Sequence, residues 1–175
     1  MRTFIAIDIP DNITSKIITF QKSINDEGIK LVNKDNLHLT LMYIGEISEK
    51  QLLDIKNKLS KIKFKKFKAE VNGIDSFRRG NNVGVIIATI KDGNETLLEL
   101  YNTIALKLND VKQEHSFIPH ITIARIKKNN QVWKLLEETK TKNFGYFTIH
   151  SIKIKESILT NTKSIYKTLD EFILE

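Results

Sequence analysis

The chain has 175 residues and no cysteine, which allows one sizeable core and excludes disulfides, thiolate chemistry and cysteine-ligated metal sites. Its 41% hydrophobic content is ordinary for a globular protein, and no apolar run nears the roughly 18–20 residues of a membrane span. The net charge of +7 favours a polyanion such as RNA, although 24 lysines against four arginines also fit a biased composition, and Lys61–Lys68 reads as a solvated helix end entering a strand.

In chain order, Thr3–Ile9 alternates with the period of a strand. Pro10 ends it, and Asp11 or Asn12 caps a helix running to about Asn25. The segment Met1–Asp8 reaches an acid too early for a signal peptide, so the expectation is a cytoplasmic protein with no membrane partner. Gly28 separates a short extended piece, Ile29–Asn33, from a strand over Asn36–Ile44, and Gly45-Glu46 turns the chain. Ser48 with Gln51 has the form of a capping box opening a helix to about Lys61. Strands follow at Phe67–Ile74 and Val83–Ile90, joined by a Ser76–Asn82 loop that carries Arg78 and Arg79. Gly93-Asn94 introduces a helix to about Leu108, His120 begins a strand to about Ile126, and Asn130 opens a helix to about Lys140. Strands over Phe144–Lys155 and Ile165–Leu174 complete the chain. No linker or domain boundary shows.

Two tripeptides stand out: His38-Leu39-Thr40 and His120-Ile121-Thr122, each on a strand followed by a turn and a helix. They lie nearly half the chain apart, so the fold class expected is α/β (α+β): one bilobal domain over 1–175, with two antiparallel sheets flanked by helices around a central cleft. Side chains two apart on a strand share a face. Each strand therefore offers an imidazole beside a hydroxyl, with Leu39, Leu41, Ile121 and Ile123 on the core side. Imidazole titrates near neutral pH, so one ring can act as base while the other acts as acid. Hydroxyls can donate to phosphate oxygens as negative charge builds. Opening a cyclic phosphodiester requires that set. Neither histidine has a second ligand at metal-binding spacing, so the expectation is no metal and no cofactor.

The paired H-x-T motifs, the opening R-x-F-I-A-I-D, the N-L-H-L-T-L-x-x-x-G-E stretch and F-x-P-H-I-T-I-A-R resemble the 2H phosphoesterase superfamily. They are most similar to its bacterial and archaeal RNA 2′,3′-cyclic phosphodiesterases, also called 2′-5′ RNA ligases. The resemblance covers essentially the whole chain. It implies metal-independent opening of RNA 2′,3′-cyclic phosphate ends, or of a cyclic nucleotide, to 2′-phosphates by a monomer. His38 would be the proton donor to the leaving oxygen and His120 the acceptor that activates water. Thr40 and Thr122 would hold the phosphate.

Other residues carry weaker signals. Strict alternation puts Arg125 and Tyr43 on the faces opposite their histidines, and a bulge would be needed to turn them to phosphate and base. Phe4 is a base-stacking candidate through the resemblance, and otherwise core. The family often has an arginine where Gly84 stands, for which Arg78 and Arg79 could substitute at the cleft mouth. Near the end the family favours S-x-L-x-P-x-G-P-x-Y, whereas Ser157–Tyr166 lacks the prolines and glycine, which leaves a substrate contact from Tyr166 open. His150 reads as a satisfied, partly buried histidine, His115 as a loop residue and Trp133 as a helix anchor. Three readings compete: hydrolysis, ligation by the reverse reaction, and a 2H module that binds nucleotide or RNA without turnover.

Overall fold

The computed structural model describes residues 1–113, 116–127, 132–161 and 163–175. Strand β1 spans Arg2–Asp8 and is followed by helix α1, Asp11–Ser23. Pro10, not Asp11 or Asn12, occupies the cap position; Asp11 is the first helical residue, and its carboxylate meets Lys34 at 2.8 Å. A three-residue β2 (Ile29–Leu31) leads to β3, His38–Glu46. Helix α2 (Glu49–Leu59) starts at the capping box of Ser48 and Gln51. Strand β4 runs Phe67–Arg79 and β5 runs Asn82–Ile90, so the Ser76–Asn82 segment is not a loop. The two strands meet at a two-residue Gly80-Asn81 turn, where Gly80 has φ +59°, a conformation glycine adopts without a Cβ penalty.

Helix α3 spans Asn94–Lys107, β6 His120–Ile126 and α4 Val132–Thr139. His115 and Asn130, read above as a loop residue and a helix start, lie outside the described residues. The segment expected as one strand over Phe144–Lys155 is two: β7 (Asn143–Ile149) and β8 (Ser151–Leu159). Between them His150 is exposed, not partly buried, because the chain crosses there from one side of the sheet to the other. Strand β9, Ser164–Ile173, pairs with β8.

The strands form one α+β sheet in the order β7-β4-β5-β6-β3-β1-β8-β9, with β2 on β6, and every pairing is antiparallel. Two half-sheets are visible within it, because β3 and β6 pair only at Leu39 and Ile121. Leu39, Leu41, Ile121 and Ile123 are buried in one cluster with Ile13, Ile17 and Phe20 of α1. That face is the core, and the opposite face of β3 and β6 is left to polar side chains.

Strand β3 is irregular at Leu41 and again at Ile44, and β6 carries one bulge. Against β1, Met42 pairs with Ile5 and Thr40 with Ala6, which leaves Leu41 without an opposite. Against β5, Ala124 pairs with Ile86 and Thr122 with Ile87, which leaves Ile123 without one. At the second bulge the Ile123 carbonyl accepts from Val32 N–H at 2.9 Å and from the buried Gln21 amide at 2.9 Å, so the irregular backbone is satisfied. Two successive residues after each bulge step face the core (Leu41 with Met42, Ile123 with Ala124), and the alternation beyond is inverted. Leu39→Ala empties the contact that joins the half-sheets; we expect a loss of about 2–5 kcal/mol in urea unfolding.

Candidate active site

The Leu39–Ile121 pair sets the geometry of the site. An antiparallel bridge has a local twofold axis, and in its register His38 lies opposite Thr122 and Thr40 opposite His120. Leu39 and Ile121 point into the core, so these four polar residues share the other face. The two histidines are diagonal neighbours, for which Cβ separations somewhat under about 7–8 Å are usual.

Both rings are held alike. His38 Nδ1 lies 2.7 Å from the carbonyl of Asn36, and His120 Nδ1 lies 2.7 Å from the carbonyl of Ile118. A carbonyl only accepts, so Nδ1 carries the hydrogen in each ring, and Nε2 of the neutral imidazole is the basic nitrogen. His38 Nε2 is 3.0 Å from the Thr40 hydroxyl. Burial disfavours the charged form of both rings. His38 is pushed down to about 4, mainly by burial and against the Asn36 carbonyl, which favours the proton; Lys155 lowers it further and Asp8 opposes that. His120 is lowered by burial, with the Ile118 carbonyl opposing.

Around His38 lie Phe4 and Tyr166, with all three ring centroids 5.1 Å from one another. Phe4 is only 3% exposed, and its ring buttresses the imidazole while also lining the cavity beside it. Tyr43, turned round by the Leu41 bulge, is 66% exposed and is the open aromatic platform. The Ile123 bulge likewise turns Arg125 to the histidine face. Tyr166 reaches the site without the family's proline-glycine loop, because Thr160 and Lys163 close the β8–β9 hairpin by backbone and hydroxyl bonds. On the other side, the ring of Phe77 meets His120 edge-on at 4.8 Å, a contact no sequence signal marked.

Two cavities adjoin the histidines. One of about 390 Å³ is lined by Arg2, Phe4, His38, Tyr43, Arg125 and Tyr166 among others. The other, of about 620 Å³, is lined by Thr40, Tyr43, Phe77, Tyr101, Phe117 and His120 among others. Arg78 and Arg79 line neither, contrary to the cleft-mouth expectation. The Arg78 guanidinium lies over Trp133, 4.9 Å from the ring centroid, and Arg79 donates to the Ile126 carbonyl at 3.5 Å. Trp133 is itself 43% exposed, a surface partner for that cation rather than a buried anchor. At Gly84 a Cβ would stand 3.1 Å from the Arg79 Cβ, so Arg79 crowds the place of the family's arginine.

The LigT-like phosphoesterase family model matches twice, over residues 7–87 and again over 87–166, once around each His-x-Thr strand. The chain belongs to the LigT-like phosphoesterase family. It is similar to the RNA 2′,3′-cyclic phosphodiesterase of Methanocaldococcus jannaschii, 37% identical over 98% of this chain and 100% of that protein. It is also similar to the enzyme of the same name from Archaeoglobus fulgidus, 32% identical over 98% and 99%. Among solved structures, a Thermus thermophilus protein superposes with a TM-score of 0.85 at 24% identity, covering 99% of this chain and 97% of that one. Escherichia coli LigT in its apo form gives 0.85 at 22% identity, covering 99% and 96%. The LigT-like fold and this chain's duplicated half-sheets are therefore the same architecture. No helix of the described residues is long and apolar enough to cross a membrane.

The environment of His38 yields a direct expectation. In phosphate-free buffer its NMR resonances should titrate near pH 4, and added inorganic phosphate should move the midpoint upward, because an anion between the rings stabilises imidazolium. A midpoint of 6.5 that phosphate does not move would show that burial does not govern the ring.

Proposed function

We propose that this protein hydrolyses RNA 2′,3′-cyclic phosphate ends, or cyclic nucleotides, to 2′-phosphates with two histidines and no metal. The observation that carries the reading is the bridge at Leu39–Ile121, whose register puts two imidazoles and two hydroxyls on one face, each imidazole fixed through Nδ1. Its relatives' names give the substrate class. In this mechanism Nε2 of neutral His120 takes a proton from water as the oxygen attacks phosphorus. Protonated His38 gives its Nε2 proton to the departing ribose 3′-oxygen, and the phosphate stays on O2′. Thr40 and Thr122 donate to the non-bridging oxygens, the Thr40 hydroxyl exchanging its bond to His38 for one to phosphate. We read the protein as a monomer, one bilobal unit over 1–175, because both histidines come from one chain; the cytoplasm is the location we propose for it.

Acid, base and donors are all supplied by side chains present, and among the described residues no three His, Cys, Asp or Glu side chains gather as metal ligands. Turnover of a cyclic-ended RNA should be unchanged by EDTA; abolition by EDTA, reversed by a divalent ion, would overturn the metal-free reading. His38→Ala and His120→Ala should each lower kcat by about 10²–10⁴-fold, with RNA binding largely retained. The double variant should be little worse than either, as expected for groups acting as a unit. His150→Ala, which alters an exposed residue between β7 and β8, is the control; damage equal to that of His120→Ala in a folded protein would refute the assignment.

The pH dependence has a definite sign. A bell in kcat/KM reports the free enzyme's acid and base. With one imidazole at about 4 and the other also lowered from 6.5, the bell should centre below pH 6.5. The kcat profile should lie at higher pH, because bound anionic phosphate raises both values. A kcat/KM optimum above about pH 7 would be incompatible with two buried imidazoles.

A further inference from the structure

The ring of His38 has different surroundings on its two sides. On one it lines the cavity that also holds Arg2, Arg125 and Tyr166, and His120 faces it from β6. On the other, across β1, lies a cation that takes no part in the proton transfers. Lys155 of β8 stands opposite Phe4, yet its ammonium pairs with Asp8, which stands opposite His38. The lysine side chain therefore runs along β1 past Ala6, whose methyl leaves room for it, and ends beside the imidazole. Only 7% of Lys155 is exposed.

Stability does not account for that arrangement. Taking an ammonium out of water is costly, and an apolar side chain of similar length would fill the space without the cost. Nor does Lys155 have a carboxylate to itself. Asp8 also takes Lys153 at 2.8 Å, and Lys153 is shared in turn with Glu171 at 3.6 Å. Two ammoniums thus meet one carboxylate next to the ring. Among the charged neighbours of His38, Lys155 weighs most heavily, against the imidazolium; Asp8 favours it less strongly, and His120 disfavours it least. We propose that Lys155 is a positioning residue for the general acid: its ammonium, anchored on Asp8, opposes positive charge on His38 from one side, so that the ring takes up its proton together with an anionic phosphate on the other. The proton given to the leaving oxygen then arrives with the substrate, and a ring that holds it weakly releases it readily. This rests on the function proposed above, and adds a group that acts through its proton donor.

NMR titration of the His38 ring in phosphate-free buffer tests this without turnover. In Lys155→Met the midpoint should rise by at least about one pH unit, the usual effect of a charge so near. In Lys155→Arg, which keeps the charge, it should stay close to the wild-type value. Lys153→Met takes a charge from the same carboxylate but farther from the ring, and should move the midpoint clearly less. Should Lys155→Met fail to fold, Lys155→Gln makes the same comparison with a polar side chain. In the kcat/KM profile for a cyclic-ended RNA, the limb that belongs to His38 should move up with the NMR midpoint in Lys155→Met, while the His120 limb stays. A side chain that only held the fold would lower activity without moving a limb. An unchanged midpoint in Lys155→Met, or an equal rise in Lys155→Arg or Lys153→Met, overturns the proposal. If the midpoints move as expected but the wild type turns over no cyclic-ended RNA, the action of Lys155 on His38 stands and the hydrolase reading falls.

Discussion

A single backbone pair, Leu39 with Ile121, decides where the chemistry is. Each residue sends its side chain into the core, where burying such a group is worth about 1.5–3 kcal/mol. Because both strands are pinned core-side at that point, the flanking histidines and threonines are forced to the opposite surface. A shift of one residue in either strand would bury an imidazole and expose a leucine or isoleucine. The arrangement of the polar groups is therefore held by apolar ones.

The site is also held electrostatically. Lys155, only 7% exposed, pairs with Asp8, whose second oxygen takes Lys153 at 2.8 Å, and Lys153 also meets Glu171 at 3.6 Å. Burial alone would raise the pKa of Asp8, but bonds from Lys153 and Lys155 outweigh it and keep the carboxylate ionised. Asp8 lies opposite His38 in the ladder, so a charged network adjoins the imidazole on one side while Phe4 and Tyr166 pack it on the other. Such a ring has little freedom, and its proton affinity is set by its surroundings.

Much of this was legible in the sequence because it follows from short-range rules. The alternation around His38 and His120, the Ser48–Gln51 capping box and the strand over His120–Ile126 all appear where local pattern places them. What sequence could not give depends on pairing partners. Nothing in Leu39-Thr40-Leu41-Met42 says that Leu41 bulges; that is decided by β1, whose Ile5 and Ala6 take Met42 and Thr40. The extension of β4 through Arg79 is decided by β5, and the break at His150 by two destinations, β4 for β7 and β1 for β8. Phe4 could be read as ligand or core from its alternation, and nothing local announces that Tyr166 packs across it.

The double match of the family model and the order of the strands do not divide the molecule in the same way. The first match, over residues 7–87, holds β3 of one half-sheet and β4 of the other; the second, over 87–166, holds β6 and β7 of the latter and β8 of the former. Each half-sheet is thus woven from both repeats. The half-sheet of β4, β5, β6 and β7 is built from one continuous stretch of chain, whereas the other brings the two ends of the chain together, with β1 beside β8, so the two sides of the paired His-x-Thr strands are anchored by different parts of the polypeptide.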